Sequence, residues 1–139
     1  MSESPIAAVI RALDSLDAAG VVALLAPECR LLTADGRRAE GRDAVAALLT
    51  DFLAELRSTT HRITDEWHPQ EVWIAEVEAS YVLRDWLELE GLPRVFVLRD
   101  GPHGVTDLRV YGAHERRLPD DGGDDPRGVH LGGRWMPPL

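Results

Sequence analysis

Two hydrophobic periods divide this chain. In its first part apolar side chains return every three or four positions; further on, from about His61 to Gly112, they alternate with polar ones. Ile6, Val9, Ile10, Leu13 and Leu16 keep helical spacing, with Ser4 as a cap and Pro5 in the first turn, which predicts a helix over Pro5 to about Ser15. Asp17 caps a second, shorter helix carrying Val21, Val22, Leu24 and Leu25 and ended by Pro27. Cys29 to Thr33 reads as a short strand, with a turn at Asp35-Gly36. Gly41-Arg42-Asp43 starts a third helix with Val45, Leu48, Leu49, Phe52 and Leu56 on one face. His61 to His68 then alternates as a strand up to Pro69. Val72 to Leu83 alternates most regularly, with Trp73, Ala75, Val77, Ala79, Tyr81 and Leu83 on one face and Glu76, Glu78 and Ser80 on the other. Leu92–Arg99 and Val105–Gly112 are the last strands, joined by a turn at Asp100–Gly104; Arg84–Gly91 fits either a strand extension or a wide hairpin loop. Helices followed by a long meander predict an α+β cone around one internal pocket.

At 139 residues the chain holds one domain. Its 45% hydrophobic and 28% charged residues are ordinary for a globular protein. The composition changes after Glu115: nine of the 24 residues from Arg116 to Leu139 are Gly or Pro, and four more are Asp. The expected division is therefore a folded unit over 1–115 and a tail over 116–139. The apolar tip Trp135-Met136-Pro137-Pro138-Leu139 leaves open whether that tail docks or stays free. No apolar run approaches the ~20 residues of a membrane span. The N-terminus lacks a basic signal region, so the cytoplasm is the expected location.

A net charge of -9 argues against nucleic acid and against an anionic membrane surface. The chain has no lysine and no asparagine, which excludes a protein Schiff base and a phosphate-loop lysine. Cys29 is alone and reads as a small core hydrophobe. The histidines, at 61, 68, 103, 114 and 130, show no paired ligand spacing. Neither a metal nor a cofactor is expected.

Leu24-Leu25-Ala26-Pro27-Glu28, Glu40-Gly41-Arg42-Asp43-Ala44-Val45, Leu98-Arg99-Asp100-Gly101 and Leu108-Arg109-Val110-Tyr111-Gly112 together resemble the nuclear transport factor 2-like superfamily, above all its SnoaL-like, polyketide cyclase-like branch. The resemblance covers about Pro5 to Glu115. It implies three N-terminal helices packed on a strongly curved, mainly antiparallel sheet, whose concave face encloses a pocket and whose convex face makes a dimer. The catalytic sets of two relatives do not carry over. Where limonene epoxide hydrolase has its water-holding Tyr and Asn, this chain has Leu31 and Thr33; its sheet Arg and Asp fall on Val77 and Ala79, and its last-strand Asp on Val110. The ketosteroid isomerase base aligns with Thr33 and its tyrosine near Val9. Where the SnoaL-like branch often has an Asp, this chain has Ala113 and then His114.

Strand parity places His61, Ile63, Asp65 and Trp67 on one face. His61 with Asp65 makes a general base and its partner, because an imidazole titrates near working pH; the alternative is a rim histidine beside a solvated carboxylate. Arg94 shares the inward parity of Phe96 and Leu98, where a guanidinium needs a carboxylate or an anionic ligand. Thr33 and Tyr81 offer hydroxyls, while Trp67, Trp73 and Val110 line the pocket. The expected ligand is a small hydrophobic molecule, cyclic or polyketide-like. It is either turned over by cofactor-free proton transfer or held by a catalytically silent binding or dimerisation module. Val72, Ile74, Val82, Val95 and Val97 have the outward parity and predict a homodimer through that face.

Overall fold

Ser4 opens the first helix, α1 (Pro5–Asp14), where its hydroxyl accepts the Ala7 amide at 3.1 Å and Pro5 fills the first turn. The stripe Ile6, Val9, Ile10 and Leu13 is buried. Asp17 caps α2 (Ala18–Val22) in the same way, accepting from the Gly20 amide at 2.9 Å. The elements that follow are β1 (Leu25–Leu32), β2 (Arg38–Glu40), α3 (Arg42–Ala54), β3 (Leu56–Trp67), β4 (Val72–Leu83), β5 (Glu88–Gly101) and β6 (Gly104–Tyr111). They are seen in a computed structural model that describes residues 3–112. The expected tail, 116–139, lies outside the described residues.

The strands form one sheet in the order β2-β1-β6-β5-β4-β3. Every neighbouring pair is antiparallel except β1 with β6, which run parallel. One face is covered by the helices, and the core lies between them. Ile6, Leu13 and Phe52 from the helices meet Val77, Tyr81, Phe96 and Leu98 from the sheet, and the Phe52 and Tyr81 rings meet edge to face at 6.1 Å. Each such side chain contributes about 1.5–3 kcal/mol by leaving water.

The alternation read from Val72 to Leu83 is the one observed. Other expectations differ. Two strands, β1 and β2, lie between α2 and α3, where the sequence predicts a single one over Cys29 to Thr33. The sheet is also open rather than strongly curled: β2 and β3 remain its edges, and only pairing between edges would close it. Pro27 does not end a helix. It lies inside β1, in the stretch where the register with β6 shifts between Leu25 and Arg30, a place that tolerates a missing amide. β5 begins at Glu88, so the second half of the ambiguous stretch before Leu92 is strand and the first half is the connecting turn. No helix among the described residues is long and apolar enough to cross a membrane.

Candidate functional site

On the helix-covered face the strands set their inward residues in rows. His61 of β3 stands opposite Ala79 of β4, which stands opposite Leu92 of β5. The adjacent row runs Ile63, Val77, Arg94, and Tyr81 stands opposite Thr59 on the other side. His61, Tyr81 and Arg94 are thus brought together across three strands, each at most 7% exposed.

α1 ends directly over His61. The Asp14 carboxylate takes two polar groups of that residue: ring Nδ1 at 2.8 Å to Oδ1, and the backbone N–H at 3.2 Å to Oδ2. A carboxylate only accepts, so Nδ1 carries the hydrogen of that bond. The His61 side chain is fully buried, while that of Asp14 keeps 29% of its surface in solvent. Nε2 and the Tyr81 hydroxyl are buried, and neither has a hydrogen-bond partner among the described residues. The Tyr81 and Phe96 rings present themselves edge-on to the imidazole, at 6.0 and 5.8 Å. Burial pushes the Tyr81 phenol up to about 12, with the nearby Arg94 charge pulling the other way. At neutral pH the phenol is therefore a donor. Arg94 itself gives one N–H to the Pro93 carbonyl at 2.9 Å.

Asp65 is not the partner of His61. A register shift between Ile63 and Asp65 reverses the facing of β3, so Asp65 pairs with Glu76 on the open face and is exposed. Trp67 follows it there, opposite Ile74 and 44% exposed. Trp73 stays on the covered face, stacked on His68 with ring centres 3.5 Å apart. Val110 is buried opposite Phe96. Thr33 is buried too, but its hydroxyl is engaged in the turn between β1 and β2, bonding to the Asp35 carboxylate and accepting the Arg37 amide. Sequence reasoning missed Asp14. An aspartate in the last turn of a helix opposes the helix dipole, but that alone does not name the partner that holds it there.

A cleft of about 390 Å³ is lined by open-face residues, among them Thr64, Glu76, Glu78, Val95 and Tyr111, and also reaches Arg94. Glu78 is paired with Arg62 across β3 and β4. No cluster of potential metal ligands occurs among the described residues.

With fold and site in place, comparison with known proteins is decisive at one point. The family model described as SnoaL-like domain matches residues 6–122. The chain belongs to the SnoaL-like domain family. No curated protein matches it significantly. Among solved structures, the SnoaL-like chain is similar to a hypothetical protein with a ketosteroid isomerase-like fold from Catenulispora acidiphila, in complex with trimethylamine (15% identity, 81% of this chain and 88% of the other, TM-score 0.73). It is also similar to an LEH-like epoxide hydrolase from M. tuberculosis (17% identity, 78% and 80%, TM-score 0.68), and to ActVI-ORFA from Streptomyces coelicolor (20% identity, 75% and 88%, TM-score 0.61). At these identities the likeness establishes the fold of the SnoaL-like chain and leaves its chemistry to its own residues.

Proposed function

We propose that this SnoaL-like domain binds a small hydrophobic molecule, cyclic or polyketide-like, against the helix-covered face of the sheet, and that His61 moves a proton on it. The observation that carries this reading is the unspent Nε2 of a histidine whose other nitrogen is fixed by Asp14. Leaving such a group buried and unbonded costs about 1–3 kcal/mol, and a ligand that supplies a proton recovers it. In the simplest cycle Nε2 removes a proton from carbon next to a carbonyl. The resulting enolate oxygen accepts from the Tyr81 hydroxyl, with the Arg94 charge nearby, and the proton returns to a different atom of the same molecule. No electrons are lost or gained, so no cofactor is required.

A second reading, a silent binding module, is supported by the residues at the matched catalytic positions of limonene epoxide hydrolase and ketosteroid isomerase, which here include Thr33, Val77, Ala79 and Val110. Solvent deuterium exchange into 2-tetralone, followed by proton NMR, separates the two. The expected result is exchange above the buffer rate, reduced about 10²–10⁴-fold in His61→Gln and by less in Asp14→Ala. Binding without exchange supports the silent module. Neither binding nor exchange, for this ketone and its alkylated homologues, overturns the proposal.

A further inference from the structure

His61 Nε2 and the Tyr81 hydroxyl are both sealed from solvent, so a ligand reaches them only when an element over the covered face moves. α3 is held at both ends. Gly41 joins it to β2 and Glu55 joins it to β3. Arg42 donates to the Leu25 carbonyl at 2.6 Å, and the Arg84 amide and Nε donate to the Glu55 and Ala54 carbonyls. α1, packed on β3, β4 and β5, is held differently. At its first turn one hydroxyl closes it, Ser4 Oγ donating to Glu66 Oε2 at 2.6 Å. At its last turn Asp14 binds the His61 backbone and ring. Directly after that the chain turns through Leu16 at φ 55°, in the left-handed region. A leucine held there is strained, and strain of that kind gathers at clamps and switch segments.

Helix and sheet also match in length. The ten residues of α1 span about 15 Å, and the strand steps from Ala75 to Ala79 span about 13 Å. Glu66 stands opposite Ala75 and His61 opposite Ala79, so α1 lies along this stretch with Ser4 over one end and Asp14 over the other. Beneath it the inward residues of β4 are Ala75, Val77 and Ala79, all short and all buried. Beyond the Ser4 end Trp73 lies against the His68 ring.

We propose that α1 is a hinged flap over this site, an inference that rests on the binding reading above. It turns about Leu16, frees Ser4 from Glu66, and admits a flat ligand past Trp73 onto the short-residue floor of β4. Asp14 lies beside the hinge and moves least, so the His61 ring keeps its orientation while the flap is open. The bond from Ser4 to Glu66 is present whenever the flap is closed, with ligand or without. Breaking it therefore raises entry and exit rates together and leaves affinity nearly unchanged.

The test is Glu66→Ala in the full chain, with Glu78→Ala, at the open-face ion pair, as the control. Hydrogen exchange should quicken about 3–10-fold at the Val9 and Ile10 amides and stay as it was in β4. 2-Tetralone, followed by tryptophan fluorescence in stopped flow, should bind and leave faster by that same factor. Glu66→Gln, which keeps an acceptor for Ser4, should fall between, and Glu78→Ala should change neither readout. Unchanged exchange in α1 would mean that the bond is no latch. Faster exchange with unchanged ligand rates would put the entrance elsewhere. Either result, or an equal change in Glu78→Ala, overturns the flap. If 2-tetralone does not bind the unaltered chain, the site reading falls and takes the ligand's entry with it, while hydrogen exchange still decides whether α1 opens at Glu66.

Discussion

His61 and Tyr81 put two polar atoms into the same apolar interior, and the second of them makes a pH prediction. Tyr81 is an acid whose ionisation is raised by burial from 10 to about 12. The folded state therefore keeps its proton in a range where the unfolded chain gives it up. Its contribution is fully present below pH 10 and is lost as pH rises towards 12, by about 2–3 kcal/mol. The chain has no lysine to titrate in that interval, although burial also pushes up the Cys29 thiol. Urea unfolding at steps from pH 9.5 to 12 should show this fall in the native chain and a flatter profile in Tyr81→Phe; equal slopes would mean the phenol is not buried in solution. The placement of His61, Tyr81 and Arg94 on the covered face was legible from strand parity alone, because alternation tells which face a side chain takes. Asp14 was not. Its partner lies 47 positions away, and no local period reports a contact at that distance.

Among the elements, β4 was legible from end to end because it alternates without interruption. β3 was misread beyond Ile63, since a bulge inserts one residue and reverses every face after it, and no residue type announces it. β2 is three residues long, below the length at which a period can be counted. Gly104, by contrast, has a requirement the turn sequence only hinted at. It has φ +119°, and a Cβ there would lie 2.8 Å from the Leu24 carbonyl oxygen and 3.0 Å from the Ala26 nitrogen. The glycine lets β6 start against the backbone of β1, where the Val105 amide donates to that same carbonyl at 2.9 Å. Gly104→Ala should cost about 1–3 kcal/mol in chemical denaturation, whereas a loss under 0.5 kcal/mol would show that the turn relaxes freely.

For the molecule as a whole, the order of helices and strands was enough to give the fold, because each part of the chain kept its own period. The openness of the sheet was not, since curvature depends on bulges and edge pairing rather than on any residue's type. The open face holds Val72, Ile74, Val82, Val95 and Val97, all part-buried in the single chain, around the cleft at Tyr111. Apolar sheet surface of that extent is expected to be covered by a second copy of the chain. Light scattering should give twice the 15.4 kDa of one chain at micromolar concentration, and Val95→Glu should return it to one. A monomer throughout that range would mean that this face is covered from within the chain or stays wet.

The parallel contact of β1 with β6 joins the first strand made to the last one among the described residues. A ribosome delivers the β3–β4–β5 meander early, and its local hairpins can form as they emerge. The lobe of β1, β2 and α3 has to wait for Gly104–Tyr111 before it can be joined to that meander through the sheet. Until then the nascent chain offers two bare strand edges at once, on β1 and on β5, each a template for a stranger's strand. The final strand is thus the keystone of assembly, and the interval before it is made is when this protein is most exposed to aggregation.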